Sequence, residues 1–99
     1  MFDNLMSQMQ EQANEIKKKL DNTTVEAEAE GGLVKVTATG NKKILSIEIN
    51  PDILEDKEAV EDLVIVAINK ALEKADEIAS KETGDLAQGM FPGLGNLFG

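Results

Sequence analysis

The chain has 99 residues, with 19 acidic and 10 basic side chains and a formal net charge of −9. It contains no cysteine and no histidine, which excludes disulfides and thiolate metal sites and removes the commonest general base. No secretory signal pattern and no membrane-spanning apolar run is present. We therefore expect one small, soluble, cytoplasmic domain without membrane contact.

The first predicted element is a helix over residues 2–20. Apolar side chains recur there at spacings of four and three residues, which indicates a seam along one face of a helix. The residues of this seam are Phe2, Met6, Met9, Ala13, Ile16 and Leu20. Because the seam is too short for a free-standing coiled coil, we expect it to pack against the sheet or another helix.

Three strands are predicted next, over residues 24–30, 33–39 and 44–49, from their alternation of apolar and polar residues. Gly31-Gly32 and Gly40-Asn41 are two-residue turn signals between them. These turns predict the pairs Ala29 with Val34, Glu28 with Lys35, Val36 with Leu45, and Val34 with Ile47. The result is a three-stranded antiparallel meander whose apolar face includes Leu45, Ile47 and Ile49, with Leu33 and Ile44 on the polar side.

A long helix is predicted over residues 53–82, after Asn50-Pro51 ends the third strand. Either Asp52 or Asp56 suits its N-cap. From Asp56 to Lys81 this helix would be roughly 40 Å long at 1.5 Å per residue, so it must overhang strands that span only about 20 Å. We predict a single domain over residues 1–83 and a flexible, glycine-rich tail over residues 84–99.

The residues that could carry chemistry are few. Six acids crowd the start of the long helix, at Asp52, Glu55, Asp56, Glu58, Glu61 and Asp62. They lack the spacing and central glycine of a calcium loop, and acids are favoured at a helix N-terminus. The serines have no histidine to activate them, and the glycines match no phosphate-binding motif. We predict no enzymatic activity, no cofactor and no metal.

All ten basic residues are lysines, so arginine, the usual bidentate ligand of phosphate and guanine, is absent. They cluster at residues 17–19 and 42–43 and recur along the long helix at Lys70, Lys74 and Lys81. One interpretation is solubility and pairing with nearby acids. The other is contact with phosphates. No aromatic residue is interleaved with the lysines, so stacking on bases is excluded as a main mechanism.

The order of elements, together with several short segments, resembles the YbaB/EbfC family of nucleoid-associated proteins. The segments are Gly32–Val36, Ser46–Ile49 leading into Pro51–Glu58, and Glu61–Leu63 followed by Ala67–Ala71. The resemblance is loose before Thr23 and close from Gly32 onward. It implies an α+β fold with an α-β-β-β-α protomer, which forms a tweezer-like homodimer through its sheets. It also implies a bacterial protein of the cytoplasm and nucleoid that binds double-stranded DNA and affects gene expression.

On this basis we assign DNA contacts to Lys17, Lys18, Lys19, Lys70, Lys74 and Lys81. We assign the dimer interface to Leu33, Val34, Val36, Ile44, Leu45 and Ile47. Because the chain is acidic and lacks arginine, we predict weak, sequence-tolerant binding that falls steeply with salt. The alternative function is a protein-interaction module, which would use the apolar helix overhang and residues 84–99 without direct DNA contact.

Overall fold

A computed structural model describes the backbone of residues 2–90 and the side chains of residues 4–84. The elements are helix α1 (Phe2–Asp21), strands β1 (Thr24–Ala29), β2 (Val34–Thr39) and β3 (Ile44–Ile49), and helix α2 (Lys57–Met90). The strands form one antiparallel sheet in the order β1-β2-β3, and α2 packs mainly on β1 and β2. The predicted α+β fold and element order are confirmed.

The core lies where α2 packs on the sheet. Ala67, Ala71 and Ala75 recur every four residues on one face of α2 and are fully buried. Because alanine carries only a methyl group, these positions let the helix lie close to the strands. Val34 and Val36 of β2 are fully buried beneath it, so the centre of the core is made of small and medium side chains.

The connection between β1 and β2 has the predicted register but a different turn. Ala29 pairs with Val34, as expected. The connecting residues Glu30–Gly32 form a short 3-10 turn in which all three have positive φ. Leu33 then donates its N–H to the Ala29 carbonyl at 3.1 Å. Two glycines suit this turn because glycine adopts positive φ without a steric penalty.

The predicted register between β2 and β3 is wrong by two residues. Val36 pairs with Ile47 instead of Leu45. The turn accounts for the first residue of this shift, since the Thr39 N–H donates to the Lys43 carbonyl at 2.8 Å. Three residues therefore lie between Thr39 and Lys43, whereas the sequence predicts a turn of two residues.

A β-bulge accounts for the second residue of the shift. Ala38 pairs with Ile44, while the preceding residue of β2 pairs with Ser46, so Leu45 is left without a partner in the ladder. A shift of two residues is even, and Ile47 therefore stays on the predicted face. Ile44, which was expected on the polar side, instead packs against the core.

Asp56 is the N-cap of α2, which decides between the two aspartates that the sequence left open. Its Oδ1 accepts a hydrogen bond from the Ala59 N–H at 3.1 Å. The helix begins at Lys57 and not at residue 53, because Pro51–Ile53 form a separate 3-10 turn.

Helix α2 continues to Met90, past the predicted end at residue 82. The segment 84–90, predicted as part of the tail, is therefore helical, and the rest of the predicted tail, 91–99, lies outside the described residues. Gly84 does not stop the helix because one interior glycine costs only about 1 kcal/mol. At 34 residues, α2 is about 51 Å long and extends well beyond the sheet. Within residues 2–90, neither helix combines the length and the apolarity needed to span a membrane.

Candidate nucleic-acid interface

The C-terminal end of α1 is held against the turn between β2 and β3. The Gly40 N–H donates to the Leu20 carbonyl at 3.0 Å. The side-chain amide of Asn41 donates to the Lys17 carbonyl, also at 3.0 Å, and to the Asp21 carboxylate. These contacts bring two lysine-bearing segments side by side, Lys17–Lys19 and Lys42–Lys43.

Two ion pairs join α2 to these two lysine-bearing segments. Lys19 Nζ lies 3.0 Å from Glu82 Oε2, and Lys42 Nζ lies 2.5 Å from Asp76 Oδ1. Lys81 is the neighbour of Glu82 on the helix. Six of the ten lysines therefore lie on three segments that meet here. We call this set the lysine end; it comprises Lys17, Lys18, Lys19, Lys42, Lys43 and Lys81.

The ammonium groups of the lysine end are available to an anion. All six residues are exposed. Within residues 4–84, four of them make no ion pair, namely Lys17, Lys18, Lys43 and Lys81. The pair of Lys42 with Asp76 is exposed on both sides, and exposed ion pairs are worth only about 0–1 kcal/mol. A phosphate can therefore replace the Asp76 carboxylate at little energetic cost, whereas Glu82, the partner of Lys19, is only 20% exposed.

Lys70 and Lys74 lie apart from the lysine end, although the sequence analysis assigned them DNA contacts as well. Lys74 Nζ donates to the Glu26 carbonyl at 2.6 Å, and Lys70 Nζ donates to the Glu28 carbonyl at 3.4 Å. Both carbonyls belong to β1. These two lysines are therefore engaged by the backbone of the sheet.

The acidic cluster of the sequence lies at the opposite end of the sheet. The start of α2 follows Asn50, whose N–H donates to the Leu33 carbonyl at 2.8 Å, just before the first residue of β2. The lysine end begins after the last residue of β2. Six strand residues span roughly 20 Å, which is about two Debye lengths at 0.1 M salt. These acids therefore do little to repel a polyanion at the lysine end.

Only part of the assigned dimer interface is accessible in the protomer. Val34 and Val36 are 0% exposed beneath α2, so their side chains are not available to a partner, contrary to the sequence assignment. Leu45 and Ile47 of β3 are 51% and 42% exposed, respectively. They remain open because α2 covers β1 and β2 and leaves most of β3 uncovered. Leu33 is half-buried.

Comparison with known proteins assigns the chain to a family. The profile of the YbaB/EbfC DNA-binding family matches residues 2–90. The chain belongs to this family. A nucleoid-associated protein of Chlorobium phaeobacteroides is 43% identical over 95 residues, which cover 93% of this chain and 86% of that protein. A nucleoid-associated protein of Thermoanaerobacter pseudethanolicus is 46% identical over 90 residues, covering 88% and 81%.

The YbaB/EbfC fold also occurs among solved structures. The crystal structure of an uncharacterized protein from Helicobacter pylori superposes with a TM-score of 0.79 and covers 86% of this chain and 91% of its own. Its sequence is 22% identical, so the likeness concerns the fold alone. It confirms the arrangement of one helix, three antiparallel strands and a long second helix.

Proposed function

We propose that this YbaB/EbfC protein binds double-stranded DNA as a homodimer, without enzymatic activity, through the lysine end. The observation that carries the proposal is the meeting of α1, the β2–β3 turn and α2 at one lysine-rich surface. Lysine ammonium groups contact phosphates as point charges. With no arginine to pair with guanine edges, binding tolerates most sequences.

The number of available lysines sets how steeply the affinity for DNA is expected to fall with salt concentration. If the four lysines that make no ion pair within residues 4–84 touch phosphates in each protomer, a dimer makes about eight contacts. Each contact lowers log K by about 0.9 per unit of log salt concentration. Affinity should then fall roughly ten-thousandfold between about 50 and 200 mM salt. The protein would bind DNA usefully only where salt is low or DNA is abundant, as in the nucleoid.

The homodimer is proposed to form through β3 and its neighbours. Leu45 and Ile47 are exposed there, and Leu33 and Ile44 are half-buried. A domain of this size has a small core, and burial between two copies is a common extra source of stability. A dimer also presents two lysine ends to one duplex. In a bacterial cell, such binding would associate the protein with the nucleoid and affect gene expression through occupancy of DNA.

A matched pair of variants tests the proposal. Lys18→Gln/Lys43→Gln removes two charges from the lysine end, whereas Lys35→Gln/Lys57→Gln removes two charges elsewhere. Fluorescence anisotropy of a labelled duplex of about 30 base pairs measures affinity at several salt concentrations. We expect the first variant to lose at least about tenfold in affinity and to show a salt slope shallower by about 3 to 4. The second variant should bind like wild type.

Two results would contradict the proposal. Equal weakening by both variants would mean that net charge, and not the lysine end, governs binding. Absence of binding by the dimeric wild type at low salt would favour the second candidate function, a protein-interaction module. The observation that favours this second function is the exposure of Leu5, Met6 and Met9 on α1. These residues would then contact a protein partner, and contact with DNA would be indirect.

A further inference from the structure

The two edges of the sheet differ in whether side chains donate hydrogen bonds to their backbone carbonyls. At the β1 edge, Lys74 Nζ donates to the Glu26 carbonyl at 2.6 Å and Lys70 Nζ to the Glu28 carbonyl at 3.4 Å. At the β3 edge, no side chain of residues 4–84 donates to a strand carbonyl. One edge is capped and the other is open.

The spacing of the two lysines matches the spacing of the carbonyls they cap. Residues four apart on a helix are separated by about 6.0 Å along its axis, and residues two apart on a strand by about 6.6 Å. Lys70 and Lys74 are four apart on α2, while Glu26 and Glu28 are two apart on β1. Two carbonyls in this alternate pattern are the acceptors that an added antiparallel strand would use.

We propose that Lys70 and Lys74 close the β1 edge of the sheet, so that a second copy of this chain cannot add a strand there. A strand arriving at β1 would have to displace the short, charge-assisted hydrogen bond of Lys74 at 2.6 Å, which is roughly twice as strong as a neutral one, and the longer contact of Lys70 at 3.4 Å. Edge lysines are a common device against such pairing. The side chains of Glu26 and Glu28 add a second barrier, because they would meet like charges on the incoming copy.

Lys70 and Lys74 thus close a sheet edge, whereas the sequence predicts that they contact DNA. This role does not depend on DNA binding, and its test contains no DNA. The test compares Lys70→Ala/Lys74→Ala with the control Lys57→Ala/Lys81→Ala, which makes the same change in net charge on the same helix. Sedimentation velocity is run at about 0.5 M salt, where a Debye length of roughly 4 Å screens the glutamates.

We expect the Lys70→Ala/Lys74→Ala variant to associate beyond the assembly state of wild type, with an apparent Kd for the added step at least about tenfold lower than in the control. Lys70→Arg/Lys74→Arg keeps the donors and should sediment like wild type. Identical sedimentation of the alanine variant and its control would overturn the proposal.

A measurement on the unmodified protein covers the case in which the alanine variant does not fold. Ammonium protons that are hydrogen-bonded to a carbonyl exchange with water more slowly than solvated ones. NMR of the lysine Nζ groups should therefore show slower exchange for Lys74 than for Lys81. Equal exchange rates for the two groups would show that the cap is not formed in solution and would overturn the proposal.

Discussion

Gly40 lies so close to Leu20 that a methyl group on Gly40 would come within 2.9 Å of Leu20 Cδ2. The same methyl would lie 3.2 Å from the carbonyl oxygen and 3.3 Å from the Cα of Leu20. These two atoms belong to the backbone and cannot rotate away. This contact joins α1 to the β2–β3 turn, so the lysine end depends on a glycine at position 40.

We expect Gly40→Ala to lower the free energy of unfolding by about 1–3 kcal/mol, as overpacking usually does. For a domain of this size, each kcal/mol lowers Tm by roughly 4–8 °C. Far-UV circular dichroism during urea or thermal unfolding measures the change. The control is Gly84→Ala, since among the described residues an added methyl group there meets nothing within 4 Å outside the adjoining part of the helix, and alanine favours the helix by up to about 1 kcal/mol. Unchanged stability of Gly40→Ala would mean that the turn moves away from α1 freely.

Asp56→Ala should lower the free energy of unfolding by about 0.5–2 kcal/mol, because it removes the cap on the Ala59 N–H. Asp52→Ala is the matched control. The Asp52 carboxylate caps no N–H of α2 among the described residues, so this variant should stay within about 0.5 kcal/mol of wild type. Urea unfolding followed by far-UV circular dichroism compares the two. A larger loss of stability in Asp52→Ala than in Asp56→Ala would mean that Asp52, and not Asp56, caps the helix.

Elements with a local pattern could be predicted from the sequence, whereas the β2–β3 register could not. Alternation and helical spacing are properties of neighbouring residues, and they predicted the two helices and three strands found within residues 2–90. The register depends on Lys42, which adopts φ 69°, and on Leu45, which bulges from the ladder. Neither residue type favours such a conformation, so the sequence carried no sign of the longer turn or the bulge.

The lysines of the candidate site could be predicted only in part, for a similar reason. Lys17–Lys19 stood out because they are consecutive. Lys70 and Lys74 share a face of α2, but helical spacing does not tell which surface that face meets, and the structure places it beside β1. Lys42–Lys43 were visible as a pair next to the Gly40-Asn41 turn. Their convergence with α1 required a tertiary contact that no linear pattern reveals.

Asp76→Asn/Glu82→Gln should strengthen DNA binding, because the carboxylates that pair with Lys42 and Lys19 are replaced by neutral amides. Asp52→Asn/Glu55→Gln makes the same change in net charge at the far end of the sheet. Anisotropy titrations near 0.1 M salt should show a gain of at least about tenfold for the first variant. The gain for the second should be under about twofold, since the Debye length is about 10 Å. Equal gains would mean that DNA responds to total charge and does not contact this surface.

Ile47→Asp should weaken self-association without unfolding the protomer, because Ile47 is 42% exposed and lies in the proposed dimer interface on β3. Burying an unpaired carboxylate between two copies is costly, and we expect the dimer Kd to rise by at least about a hundredfold, or roughly 3 kcal/mol. Ile65→Asp is the control, because Ile65 is 59% exposed on α2 and lies outside that interface. Sedimentation equilibrium measures both constants, and circular dichroism checks that each variant is folded. If the dimer persists in Ile47→Asp but not in Ile65→Asp, the interface lies on the outer face of α2 and not on the sheet.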